Sequence, residues 1–220
     1  MTGVMARGAR RTGSISVQGL DTFAEGDLTF YVKETRELQT LKSFAATKPR
    51  RGIGRDPLRL AAASVIGEVV LRHTGEADTH ALFEGVSQAL DAVEEAERGN
   101  LTEILLREGW GIIATLGFQP LVDECVECGR RLEDDDMGRF DFAQGGMRCP
   151  RCVGERVGPR VGPEARAQLE ALLGGALPGK LRGSRAHLQL MSDFVAYHLS
   201  GARPLETFRI LAALLPADDA

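Results

Sequence analysis

Apolar positions along the chain change their spacing near residue 56. Before it they alternate with polar ones; after it they recur every three or four residues. Ile15 and Val17 alternate within residues 14–18, and Leu28, Phe30 and Val32 alternate with Thr29, Tyr31 and Lys33. A period of two predicts two half-buried strands, with Gly19 and Asp21 marking a turn between them. On this reading Phe30 and Val32 enter a core. Tyr31 and Lys33 form the opposite face, either an ordinary solvated surface or one that stacks bases and contacts phosphates. Two strands do not make a stable sheet alone, so they pack on the helices that follow or belong to a larger sheet. Residues 34–44 predict a short helix or an irregular connection.

From Asp56 the period is helical. Asp56 can cap and Pro57 suits a first helical position. Leu58, Ala61, Ala62, Val65, Ile66, Val69 and Val70 make one stripe. A second helix starts at Thr79, with Leu82, Phe83, Val86, Leu90 and Val93 on its inner face. Asn100 and Glu103 read as the capping box of a third, with Leu101, Ile104, Leu105, Ile112 and Leu116 inward and Gly117 and Pro120 ending it. Trp110 reads as a packing residue. Three more helices follow further on: residues 163–173 with Leu169, Leu172 and Leu173; a helix capped by Ser184 with Leu188, Met191, Phe194, Val195 and Leu199; and one opened by Pro204 with Leu205, Phe208, Leu211 and Leu214. The tail from Pro216 is expected to fray.

Composition adds little at first: 220 residues, 43% hydrophobic and 26% charged, suit one large or two small domains. The net charge of −4 hides an asymmetry. Residues 1–60 hold 11 Lys and Arg against 6 Asp and Glu, while the remainder holds 16 against 25. The positive end would attract a phosphate backbone and the acidic remainder would repel it. Four cations fall within residues 48–55, which suits a phosphate-contacting loop or a solvated linker. No apolar run approaches a membrane span and the basic start has no apolar segment behind it, so a cytoplasmic protein is expected.

All four cysteines lie in Cys125-Val-Glu-Cys128 and Cys149-Pro-Arg-Cys152, two Cys-x-x-Cys pairs separated by twenty residues. Each pair offers two sulfurs from a tight turn, the spacing of a closed four-thiolate zinc knuckle. Two disulfides are a competing reading that a reducing compartment disfavours. A redox Cys-x-x-Cys usually comes alone, and a catalytic zinc keeps an open position. The loop between the pairs carries Glu133-Asp-Asp-Asp136, read as a solvated tip, and Phe140 and Phe142 alternate like a short strand.

No catalytic motif survives inspection. Residues 174–180 resemble the first part of a phosphate loop, but Leu181 stands where Ser or Thr must hold magnesium. Gly52 and Gly54 lack the third glycine of a dinucleotide fingerprint, since Pro57 takes its place. His73, His80, His187 and His198 form no His-Glu-x-x-His, and no Gly-x-Ser-x-Gly occurs. His198 reads as a packed or capping side chain. The expectation is a protein that is not an enzyme.

Several segments in order then resemble the bacterial recombination mediator family RecO. They are Ala6-Arg-Gly-Ala-Arg-Arg11, the stretch from Leu106 through Leu116-Gly-Phe-Gln-Pro120 to Gly129, Phe140-Asp-Phe142 with Gly145-Gly-Met-Arg-Cys-Pro-Arg-Cys152, and Phe194-Val-Ala-Tyr-His-Leu199 with Arg203-Pro-Leu205. The resemblance implies an α+β fold: an N-terminal OB-fold β-barrel followed by a mainly helical domain carrying a structural zinc on Cys125, Cys128, Cys149 and Cys152. It implies a role in DNA repair and homologous recombination: binding single- and double-stranded DNA, annealing strands, and assisting recombinase loading on DNA coated by single-strand DNA-binding protein. The implied partners are RecR and the C-terminal tail of the single-strand DNA-binding protein. Charge and position, rather than a mapped motif, nominate Arg7, Arg10, Arg11, Lys33, Lys48, Arg50 and Arg51 for DNA. Family members usually begin about two strands earlier, where an OB barrel has five. The expectation is therefore an N-terminally truncated chain with a partial OB-fold at 1–45, a basic linker at 46–56, and a helical domain at 57–220 with the knuckle at 121–155. The alternative is a protein-interaction adaptor that uses the helical, zinc-stapled domain and does not touch DNA.

Overall fold

A computed structural model describes residues 3–5, 20–35, 37–72, 79–154 and 158–215. The strand expected around Ile15 and Val17 lies outside the described residues. The chain forms two compact units, Met1–Asp56 and Pro57–Ala220.

The first unit holds three strands, β1 (Gly3–Met5), β2 (Glu25–Tyr31) and β3 (Leu38–Lys48), in the order β1-β3-β2. β1 runs parallel to β3 and β2 antiparallel to it. Among the described residues this sheet is open, not a closed barrel. The short helix or irregular connection expected over 34–44 is instead mostly strand, and the basic segment expected to be linker from residue 46 is still strand up to Lys48. The reason is a bulge. Phe30 pairs with Leu41 but Thr29 pairs with Ser43, so Lys42 is an extra residue. Leu41 and Phe44, three apart, therefore stand opposite Phe30 and Leu28, two apart, and share a face. A spacing of three, which suggests a helix turn, is here a bulged strand. Val32, expected in the core, lies beyond β2 and is 72% exposed.

The second unit contains six helices among the described residues: α1 (Pro57–Arg72), α2 (Thr79–Glu95), α3 (Leu101–Thr115), α4 (Pro163–Leu173), α5 (Ser184–Leu199) and α6 (Glu206–Leu214). Asp56 is extended, as an N-cap residue must be, and Pro57 opens α1. The stripe read from the sequence is buried at Leu58, Ala61, Ala62, Val65, Ile66 and Val69. α3 is the hub and packs on α1, α2, α4 and α5. Leu105, Leu106, Ile113 and Trp110 are fully buried on it. The Trp110 ring meets Phe194 of α5 edge-on at 5.3 Å, a packing role as expected. Gly117 at φ +89 turns the chain away after α3, with the Phe118 amide donating to the Ile113 carbonyl at 3.0 Å.

Five expectations for the helices fail, the simplest being that α6 begins at Glu206 after an extended Leu205 and not at Pro204. Asn100 makes no side-chain capping bond, and the Glu103 carboxylate, expected to reach back to Asn100, accepts instead from the Leu181 amide at 2.8 Å. Gly183 in a left-handed conformation, not Ser184, is the N-cap of α5. Phe83 is 56% exposed, while Ser87, Ala89, Leu90 and Val93 take the inner face of α2. Leu214 is 45% exposed, on the outer side of a last turn whose Leu211 is buried.

Polar side chains stitch helix ends together. The Arg59 guanidinium donates to the Val93 carbonyl at 2.8 Å, closing the C-terminus of α2. Glu68 of α1 accepts from the amide and hydroxyl of Thr207, completing the first turn of α6. His187 is 5% exposed and meets Gln168 Oε1 through Nε2 at 3.2 Å. Gln168 in turn donates to the Lys180 carbonyl. Its amide oxygen therefore faces His187, which fixes the proton on Nε2.

Burial holds the His187 imidazole below its ordinary 6.5, and burial does the same to His198. The unfolded chain then binds protons that the fold excludes, so stability is complete above pH 6.5 and falls as pH drops below it. Unfolding free energies from urea titrations at about pH 7.5 and about pH 5.5 are expected to show this loss, and His187→Gln is expected to make it smaller. An unchanged loss in the variant would assign the pH dependence to other groups.

Candidate functional site

The segment between α3 and α4 folds as a small three-stranded sheet, β4 (Gly138–Asp141), β5 (Gly146–Arg148) and β6 (Arg160–Val161), in the order β5-β4-β6. Phe140 of β4 is fully buried and stacks on Phe142 at 5.2 Å and edge-on to Phe194 at 6.0 Å. The Phe194 and His198 rings lie 4.4 Å apart, and Phe118 closes over His198 at 5.8 Å. His198 is thus packed, as read from the sequence.

The two Cys-x-x-Cys pairs come from turns on either side of this sheet. The first lies in a hairpin whose arms bridge Glu124 to Arg131. The Gly129 amide donates to the Cys125 carbonyl at 2.8 Å, and Gly129 itself takes φ +70, which a side chain would disfavour. The second begins where β5 ends, and the Cys152 amide donates to the Cys149 carbonyl at 3.0 Å. The turns are locked to each other: the Val126 amide donates to the Met147 carbonyl at 2.9 Å and the Cys149 amide to Cys125 Sγ at 3.3 Å.

This brings all four sulfurs within 4.8 Å of one another. Cys128 Sγ and Cys149 Sγ are 3.9 Å apart, and all four residues are free cysteines. A tetrahedral ion with metal–sulfur bonds of about 2.3 Å spaces its sulfurs by about 3.8 Å. The donor set and its spacing fit a metal ion of that kind. Burial pushes the Cys125 thiol up, but backbone N–H bonds from Cys149, Cys128 and Glu127 outweigh it and hold Cys125 at about 6. Cys149 is lowered likewise, its burial outweighed by bonds from the Arg151 and Cys152 amides. Cys152 is pushed up to about 12 by its bonds to Cys128 and Cys149 and by burial. The backbone N–H groups aimed at the two inner sulfurs favour their ionised form, the form that a metal ion requires of a thiol ligand.

Two arginines that sequence reading passed over frame the cluster. Arg148 donates through Nε to Asp141 at 2.6 Å, pairs with Glu127 at 3.0 Å and reaches the Cys152 carbonyl. Arg130 pairs with Asp136 at 2.5 Å and Glu133 at 3.3 Å. Asp136 is consequently not part of a solvated tip: it also accepts from the Glu133 amide, and these bonds hold its carboxyl below the usual range. The only advance signal was position, one arginine just after each first or before each second pair.

The residues nominated for DNA differ in exposure and pairing where the structure describes them. Arg7, Arg10 and Arg11 lie outside the described residues. Lys33 is exposed at the β2–β3 turn, whose backbone is clamped by the Gln39 side chain at 2.7 and 3.2 Å. Lys48 lies 3.8 Å from Glu25 and Arg51 is exposed. Arg50 is 4% exposed at φ +40 and donates to the Phe23 carbonyl at 3.0 Å and to Glu25 at 2.8 Å. Its guanidinium ties the turn before β2 to the end of β3 and is turned inward. Lys42, not nominated, stands 5.9 Å over the exposed Tyr31 ring. The bulge that hid β3 also placed it there.

Comparison with known proteins agrees with this architecture. The family described as Recombination protein O C terminal matches residues 54–204, nearly all of the helical unit and the whole knuckle. Three proteins named DNA repair protein RecO are similar over about two thirds of the chain. One from Anaeromyxobacter sp. (strain Fw109-5) is 32% identical over 157 residues, covering 67% of this chain and 57% of the relative. One from Rubrobacter xylanophilus is 30% identical over 148 residues, 67% and 58%. One from Bacillus subtilis (strain 168) is 28% identical over 151 residues, 68% and 56%. The chain therefore matches somewhat over half the length of these relatives. With a family match across most of its length, helices and four-cysteine knuckle included, the chain belongs to the RecO family.

Proposed function

We propose that this protein acts in DNA repair as a non-catalytic recombination mediator, binding DNA and RecR through its first unit and the tail of single-strand DNA-binding protein through its helical unit. The observation that carries the reading is the family match over residues 54–204, which takes in the knuckle and the helices that hold it. On this reading the open three-stranded sheet is part of an OB-fold. It would bind single- and double-stranded DNA by neutralising phosphates and by tolerant stacking, so that strands of any complementary sequence are brought together and annealed. Tyr31 with Lys42 over its ring, beside Lys33, supplies the chemistry for one such contact. RecR and the C-terminal tail of single-strand DNA-binding protein are the proposed partners in recombinase loading, in the bacterial cytoplasm at the nucleoid. No described helix is long and apolar enough to cross a membrane. The metal is proposed to be a structural Zn2+, since four thiolates leave no position for substrate.

The inward-turned Arg50 favours a second reading, the adaptor that leaves DNA alone, because it removes one cation from the proposed DNA face.

Labelled single-stranded DNA followed by fluorescence anisotropy separates the two. The mediator reading expects affinity to fall steeply between about 50 mM and about 300 mM salt. It further expects Lys33→Glu with Arg51→Glu to weaken binding and flatten the salt dependence. Binding that is absent, or equal at both salt concentrations, would favour the adaptor. The zinc assignment has its own check: after dialysis the chain is expected to retain about one zinc per molecule, and Cys149→Ser to retain much less. A metal-free wild-type chain that unfolds at the same temperature with and without added zinc would refute it.

A further inference from the structure

We propose that the metal centre is also a redox-reversible clasp: a hydroperoxide oxidises Cys128 and Cys152, at its solvent rim, to a disulfide that releases the ion and keeps the two turns joined. The inference rests on the reading of the four cysteines as a zinc site.

Access separates four sulfurs that the sequence makes equivalent. Cys125 is 1% exposed and Cys149 is fully buried, whereas Cys128 is exposed and Cys152 half-buried. The first cysteine of each pair is thus held inward, with the Cys149 amide on Cys125 Sγ at 3.3 Å. The second of each pair lies further along its turn, at the surface. A hydroperoxide has to reach the sulfur that it oxidises, so susceptibility follows exposure and falls first on Cys128. Distance alone does not choose its partner. All four sulfurs lie within 4.8 Å of one another, and the buried Cys149 Sγ is 3.9 Å from Cys128 Sγ. A disulfide closes that gap to about 2 Å. Cys152, at the rim, can move so far without opening packed structure, and Cys149, fully buried at the end of β5, cannot.

The Cys128 thiolate attacks one oxygen of the hydroperoxide. The O–O bond breaks, and the other oxygen departs as an alcohol, or as water from hydrogen peroxide, once it has taken a proton. Cys128 is now a sulfenic acid. The Cys152 thiolate attacks the Cys128 sulfur, forms the S–S bond and expels hydroxide, which takes a second proton from solvent. Two electrons have passed from the two sulfurs to the peroxide. Cys125 and Cys149 remain as thiol ligands, two where a closed zinc site needs four.

The knuckle does not rely on the sulfurs alone. The Met147 amide donates to the Leu121 carbonyl at 2.8 Å, the Val126 amide to the Met147 carbonyl at 2.9 Å, and Arg148 to the Cys152 carbonyl at 3.4 Å. None of these bonds involves a sulfur, so they keep the rim cysteines within reach of each other when the ion is released. Cys128 and Cys152 belong to different turns, so their disulfide takes over the cross-link between turns. A disulfide inside either Cys-x-x-Cys pair would leave the turns uncoupled.

The test uses the zinc-loaded full chain and hydrogen peroxide. Zinc release is followed with a chromophoric chelator, and the cross-link is located by mass spectrometry after free thiols are alkylated in denaturant. About one zinc is expected to be released per molecule, together with a disulfide between Cys128 and Cys152 and with Cys125 and Cys149 alkylated. The oxidised, zinc-free chain is expected to unfold at a higher temperature than the reduced chain stripped of zinc by chelator, because only the first keeps a covalent link between the turns. Dithiothreitol with added zinc is expected to restore the metal. Zinc that stays bound through the peroxide treatment would overturn the proposal. So would release with no disulfide or with any other pairing, and so would an oxidised chain no more stable than the stripped one. A wild-type chain that takes up no zinc at all would overturn the metal reading, and the proposal with it.

Discussion

Four sulfurs held within 4.8 Å of one another are the constraint on which the second unit depends. They come from two turns that the chain separates by twenty residues, so nothing local brings them together. The turns meet because Val126 bonds Met147 and Cys149 bonds Cys125 across the gap. Once met, the inner pair Cys125 and Cys149 is buried and the outer pair is not, which leaves one rim of the cluster against protein and the other against solvent. Crowded thiolates repel, and a shared cation converts that repulsion into a cross-link. The fold around them is arranged accordingly: β4 sends Phe140 inward against Phe194, so the sheet that carries the second turn is also a plug in the aromatic layer between α3 and α5.

This explains why so small a sheet can hold. Two or three strands of two to four residues bury little on their own. Here the apolar side is closed by Trp110, Phe194 and Phe140 in sequence, each edge to face with the next, and the polar side by arginines at both turns. The arginines do unequal work. Arg148 pins the turn at Asp141 to the second cysteine pair. Arg130 and Arg166 instead gather the acidic loop and tie it to α4: Arg130 holds the Asp136 carboxylate, and Arg166 holds the Leu132 and Glu133 backbone carbonyls.

The parts of this arrangement that were legible in the sequence are those whose signals are local. Cysteine spacing is one, since it depends only on what a turn can present to one ion. The helical stripes of α1 and α3 are another, since Leu58 to Val69 and Leu101 to Leu116 repeat with the period of the helix itself. What was missed required knowing a neighbour. β3 hid because the bulge at Lys42 gave Leu41 and Phe44 a spacing of three, and only pairing with β2 shows that spacing to be a strand. Phe83 and Leu214 have the right period but sit at the edges of their stripes, where the packing of α2 on α3 and of α6 on α1 leaves them outside. Glu103 and Asp136 were read as a cap and a solvated charge because their partners, Leu181 and Arg130, are chosen by the tertiary fold.

Arg50 carries the same lesson into function. Counting cations in residues 48–55 treats each as an equivalent phosphate ligand, yet burial makes them unequal. A guanidinium that is 4% exposed and bonded to Glu25 and the Phe23 carbonyl cannot turn to a phosphate without giving up both bonds. Its charge is spent on joining the start of β2 to the end of β3. Lys42, at the bulge and over the Tyr31 ring, lies on the exposed side instead. A basic aromatic surface on this sheet is therefore a matter of which cations the strands turn outward, and the number of arginines along the segment does not decide it.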